Sequence, residues 1–151
     1  IFDIVFFLYF IYVFWSTITN KRFQKVIKLG GLLFVFSSLI NPFFQDFVLF
    51  PQIWASSLGS IILIICILFY FVELKSKTEI PKYQNLLFWI STGFLVFYIF
   101  YPVILFIGYF DYGLYQKLYI RRILHLLIAI MYSCIILGFV LMRRIKPPED
   151  L

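Results

Sequence analysis

Residues 53–74, IWASSLGSIILIICILFYFVEL, and 86–107, LLFWISTGFLVFYIFYPVILFI, carry one charged side chain between them, Glu73. Each run exceeds the ~18 apolar residues that an α-helix needs to cross a hydrocarbon layer about 30 Å thick. Backbone N–H and C=O groups find no water there, so such runs have to be helices that satisfy their hydrogen bonds internally. The rest of the chain follows suit. Hydrophobic residues make up 64% of it and mean hydropathy is +1.01, against roughly 45–50% apolar residues in a soluble domain. The expectation is an all-α integral membrane protein, a single bundle over residues 1–151 with short connections and mostly antiparallel neighbours, leaving no room for a soluble domain.

Five spans are expected, at about 1–18, 29–50, 53–74, 86–107 and 118–142. The first holds one charge, Asp3, and begins inside an apolar run with no methionine. In the second, Pro42 removes a backbone donor beside Asn41 and should kink or break the helix. Pro102 is expected to bend the fourth. The paired prolines of RRIKPPEDL stop the fifth.

Basic residues in the connections set the orientation, because positive loops stay in the cytoplasm. Lys21, Arg22, Lys25 and Lys28 follow the first span, Lys75, Lys77 and Lys82 the third, and Arg143, Arg144 and Lys146 the fifth. Only Lys117, Arg121 and Arg122 fall on the other side. The N-terminus is therefore expected outside and the C-terminus in the cytoplasm. Trp15, Trp54 and Trp89 fall at span ends, and Tyr109, Tyr112, Tyr115 and Tyr119 surround the last outer connection, as interfacial rings do.

Several chemistries lack their residues. A retinal protein needs a lysine within a span, a zinc membrane protease needs HExxH, and bis-histidine haem ligation needs two histidines where this chain has only His125. Ser57-Leu58-Gly59-Ser60 lacks the setting of an intramembrane serine protease. Cys66 and Cys134 have neither CxxC spacing nor a histidine partner. The expectation is no enzyme, no metal and no cofactor. The net charge of +6 is spread in clusters flanking the spans, which suits contact with anionic lipid rather than nucleic acid.

Polar groups inside spans are costly and functional by default. Arg121, His125 and Tyr132 lie along one helical face at i, i+4 and i+11, and Asp3 and Asp111 are acidic groups expected on the same outer side. Together these five define an outer polar pocket. The alternative is that Arg121 and Arg122 extend to the headgroups and His125 bonds a neighbouring helix. Glu73 reads as a carboxylate in water at the cytoplasmic end, or as a partner of Lys75 and Lys77. Ala55 with Gly59, and Ser56 with Ser60, form small-xxx-small pairs that let helices approach closely. Asn41 beside Pro42 could cap a broken helix, as in transporters.

SLGSIILIICILFYFVEL, FWISTGFLVFYIF and LHLLIAIMYSCIILGFVLM, with an acidic residue early in the first span, resemble a family of small Bacteroidetes inner-membrane proteins often encoded beside sensor histidine kinases. The most specific pieces are Phe88–Gly93 and the Met131-Tyr132 pair. Members have about seven spans, so the resemblance implies that this chain corresponds to the last five. It brings an architecture and a kinase neighbourhood but no biochemical activity. Two functions follow as expectations. One is a signalling or sensory accessory that reads a signal at its outer polar end and passes a helix shift to a histidine kinase. The other is a non-catalytic structural or assembly subunit of a larger membrane complex.

Overall fold

A computed structural model describes residues 2–43, 53–76 and 85–145. They form α1 (Phe2–Thr17), α2 (Lys21–Ile40), a 3-10 turn (Asn41–Phe43), α3 (Ile53–Ser76), α4 (Leu86–Phe110), α5 (Tyr112–Lys117) and α6 (Ile120–Ile145). There is no strand among the described residues. Four of the helices, α2, α3, α4 and α6 over Ile120–Met142, are long and apolar enough to cross a membrane, and α1 is apolar but shorter. The chain is a multi-pass helical membrane protein.

The second helix departs most from expectation. It begins at Lys21 instead of near residue 29, because Asn20 caps it: the Asn20 side chain accepts the Arg22 N–H at 2.9 Å. Arginine, lysine and glutamine then favour helix in the first turns. Lys21, Arg22, Lys25 and Lys28 thus ride on α2 instead of occupying a loop, and three residues, Ile18 to Asn20, suffice to reverse the chain. At its other end α2 stops at Ile40, and the Asn41 N–H bonds the Ser37 carbonyl ahead of the 3-10 turn. Residues 44–50 of the expected second span lie outside the described residues, as do Lys77, Lys82 and Lys146.

The helix α4 runs through Pro102 and continues to Phe110, a turn past its expected end. The last span starts at Ile120, since Tyr119, in the left-handed region with φ 50°, separates α5 from α6.

Packing places α3 at the centre, with 56% of its span window buried against 11% for α6. Between α2 and α3, Phe23 stacks on Phe69 with centroids 4.3 Å apart. Between α3 and α4, Trp54 meets Phe106 at 5.3 Å and Phe71 meets Phe88 at 5.6 Å. These pairs make sequential helices antiparallel. Helices α1 and α3 run the same way, since Phe14 meets Tyr70 and Thr19 meets Glu73. The interior mixes isoleucines and leucines with aromatic rings: Phe10 packs edge-on against Phe94 at 4.6 Å, and Phe7 touches both Phe34 and Tyr98. Oriented ring pairs of this kind contribute about 0.5–1.5 kcal/mol each beyond area burial. On the opposite side, Leu126, Ile130, Ile136, Leu137, Phe139 and Val140 of α6 are exposed. Such an apolar face is compatible with lipid contact, because water would penalise it heavily.

Candidate functional site: the aromatic end of the bundle

Antiparallel packing gathers the start of α1, the end of α2, the start of α3, the end of α4, all of α5 and the start of α6 at one end. The connection between α4 and α6 is built locally. Asp111 ends α4 by bonding its own N–H to the Ile107 carbonyl at 3.0 Å, and its Oδ1 accepts the Leu114 N–H at 2.8 Å, which starts α5. The short α5 closes at Leu118, and the left-handed Tyr119 redirects the chain into α6. A non-glycine residue in that region is uncommon, and the conformation costs roughly 1–2 kcal/mol. Here the Tyr119 carbonyl accepts the Arg122 N–H at 2.8 Å, and the Tyr119 ring lies 4.9 Å from the Arg122 guanidinium carbon.

The outcome is a cavity of about 500 Å³ lined by four residues of the α5 region, Tyr112, Tyr115, Gln116 and Tyr119, and by Arg121, Arg122 and His125 of α6. Arg121 and His125 are one turn apart on the same face, and both are exposed. A second cavity, about 430 Å³, adjoins the first and shares Tyr112, Tyr115 and Arg121 with it. Its other walls are mostly apolar and come from α3, α4 and α6, including Ile53, Ile104, Leu105 and Leu124. The rings of Tyr112 and Tyr115 are nearly parallel, 7° apart, between the two.

The five residues expected to share one pocket do not all meet. Arg121 and His125 do. Asp111 is at the same end, but one carboxylate oxygen is used as the α5 cap, and it does not line the cavity. Asp3 belongs to α1 across the bundle, within electrostatic reach of Tyr98 and Tyr101. Tyr132 lies nearly two turns beyond His125 and is exposed on α6. Among the described residues no carboxylate pairs with Arg121, Arg122 or His125. The tyrosines that complete the cavity, Tyr112, Tyr115 and Tyr119, have the sequence signal of interfacial rings but nothing in their spacing that marks them as a wall.

The small residues have a different place. Ala55, Ser56, Gly59 and Ser60 are buried inside the bundle. A Cβ on Gly59 would come within 2.8 Å of the Phe34 ring and 2.9 Å of the Phe7 ring, so this glycine sits where α1, α2 and α3 meet. The Ser60 hydroxyl donates to the Ser56 carbonyl at 2.7 Å. Small side chains here thus permit close approach, and the Ser60 hydroxyl is satisfied within its own helix.

The opposite end contains a group that is not a carboxylate in open water. Glu73 is only 9% exposed. Its carboxylate accepts the Thr19 N–H at 2.9 and 3.0 Å, the Thr19 hydroxyl at 2.6 Å and the Asn20 N–H at 3.3 Å. Glu73 therefore ties the end of α3 to the turn between α1 and α2. There is no cluster of three metal-ligating side chains among the described residues. Compared with known proteins, the chain matches no family model, no curated protein and no solved structure.

Proposed function

We propose that this chain is a sensory accessory of a bacterial inner membrane, crossing it five times, with the aromatic end outside and the Glu73 end in the cytoplasm. The observation that carries the reading is the convergence of Arg121, Arg122 and His125 with three tyrosines on one cavity at the end of the bundle poor in basic residues. Support for a fifth crossing comes from α1, whose 16 residues extend about 24 Å. That helix packs beside α3 from Phe7 to Phe14, and Thr19 just beyond it bonds Glu73. A ligand in the cavity would touch both α5 and the start of α6. The helices α4 and α6 form the most extensive pair in the bundle, so a shift of α6 along α4 would carry occupancy to its cytoplasmic end and on to a histidine kinase.

The competing role, a structural subunit that packs through small-residue and aromatic faces against larger partners, would rest on exposed rings such as Trp54, Phe100 and Phe139 alone. Ala55, Ser56, Gly59 and Ser60 are covered by the chain's own helices.

The test is copurification of the tagged protein in mild detergent, followed by a transcriptional reporter for whichever kinase is recovered. Arg121→Ala and His125→Ala should shift the response curve at unchanged membrane levels, since both side chains are exposed. Unchanged curves in both variants would remove the sensory reading.

A further inference from the structure

We infer that the paired cavities at the aromatic end bind one anionic amphiphile, its phosphate or carboxylate head on Arg121, Arg122 and His125 and its apolar chain in the adjoining cleft. This rests on the sensory reading only in taking that end as the ligand end.

Three features support it. First, Arg122 and His125 line only the first cavity, Ile53, Ile104, Leu105 and Leu124 line only the second, and the two share the wall formed by Tyr112, Tyr115 and Arg121. A ligand that fills both is polar at one end and apolar at the other. Second, the cations lack local compensation. Two adjacent arginines occupy the first turn of α6, where no acidic residue is present and where the helix dipole disfavours positive charge. An anion offsets this repulsion, and a guanidinium fork matches the oxygens of phosphate or carboxylate in a bidentate way. The recognition belongs to side chains, because the Arg122 and Ile123 N–H groups are already bonded to the Tyr119 carbonyl at 2.8 and 3.4 Å. Third, Tyr119 holds its left-handed backbone beside the cavity with its ring against Arg122. A strained residue at a cavity wall is where pre-organisation for a ligand is expected. Tyrosines at headgroup depth also place the opening where an amphiphile can enter from the bilayer. Two sources share this chemistry, an anionic membrane phospholipid and a free fatty acid.

The test uses the purified full chain in nanodiscs of phosphatidylcholine, challenged separately with phosphatidylglycerol, oleate and inorganic phosphate, with bound ligand counted by native mass spectrometry. One phosphatidylglycerol or one oleate per chain is expected, and whichever binds more tightly identifies the source. The double variant Arg121→Gln/Arg122→Gln should weaken binding at least tenfold. Removing the same charge at the other end, with Lys21→Gln/Lys25→Gln, should leave it unchanged. Leu124→Trp, which fills the apolar cleft, should weaken the chain-bearing ligands. Equal loss in both double variants would mean bulk electrostatics and would overturn the inference, as would inorganic phosphate binding as tightly as the amphiphiles or no ligand binding at all. Because the assay contains no kinase, binding with a silent reporter would count against the sensory role alone. An intact reporter response without binding would count against the ligand class alone.

Discussion

Glu73 shows how far one side chain can depart from what its surroundings in sequence suggest. Placed two residues before Lys75 at the end of an apolar run, it looks like a solvated carboxylate. Its carboxylate accepts from donors 54 and 53 residues away, two of them backbone N–H groups that have no sequence signature. Hydrogen bonds to a charged acceptor contribute about 1.5–3 kcal/mol, and an N–H left without a partner costs about 1–3 kcal/mol when buried. Thr19 and Asn20 are exposed, so water recovers part of that loss. Glu73→Ala should then destabilise the bundle by about 2–3 kcal/mol in unfolding from mixed micelles. Glu73→Gln, which keeps one acceptor oxygen, should lose about half as much, and Thr19→Val less again. Equal stability of Glu73→Ala and the parent would mean that the contact contributes nothing net. The basic and aromatic residues of the cavity were more legible. Arg121 and His125 stood out as charge and potential charge in an apolar run, and their helical spacing put them on one face. Asp3 and Asp111 did not join them, because sharing an end of a bundle does not bring side chains from different elements into contact, and Tyr132 lies nearly two turns farther along α6.

At the scale of elements, apolar run length located the five long helices but not the short α5, which the Asp111 side chain starts, and caps set the boundaries. Asn20 started α2 eight residues before the hydrophobic stretch, since a capping side chain and good helix formers need no lipid to be helical. Tyr119 imposed a break that no proline or glycine announced. The seam between α4 and α6 was partly readable. Cys134 and Gly138 are small residues four apart, and both contact α4: a Cβ on Gly138 would lie 2.7 Å from Trp89 Cβ, and one on Gly93 would lie 2.9 Å from the Met131 carbonyl oxygen and 3.1 Å from Cys134 Cβ. Because the obstacle at Gly93 is backbone, Gly93→Ala must push the helices apart, at about 1–3 kcal/mol. Gly31 is the contrasting case. Its added methyl would meet only Ile11 at 3.4 Å, an ordinary contact, so Gly31→Ala should be neutral or gain up to about 1 kcal/mol from helix propensity. Thermal unfolding of both variants in one detergent checks the ordering, and a Gly93→Ala protein as stable as Gly31→Ala would show that the α4–α6 seam is not closely packed.

For the whole molecule, hydropathy defines the class, and the charge asymmetry is the basis of the proposed direction. Among the described residues, Lys21, Arg22, Lys25, Lys28 and Lys75 lie at the Glu73 end, whereas Lys117, Arg121 and Arg122 lie at the aromatic end. Moving the first four from a loop onto the start of α2 does not weaken the asymmetry, because juxtamembrane lysines and arginines act on orientation whether they are helical or not. The two ends can therefore be tested by exposing each to a membrane-impermeant thiol reagent. Cys66 is buried and Cys134 half-buried, so Cys66→Ser/Cys134→Ser removes the native thiols. Gln116→Cys, on exposed α5, and Lys21→Cys, on the exposed first turn of α2, then report opposite ends. Gln116→Cys should label in intact spheroplasts, and Lys21→Cys only after the membrane is opened. The reverse pattern would turn the protein over and put the Arg121 cavity in the cytoplasm, where an external signal could not reach it. Labelling of both from one side would mean that α2, α3 and α4 do not make three crossings between Lys21 and Gln116, and the five-crossing arrangement would fall with it.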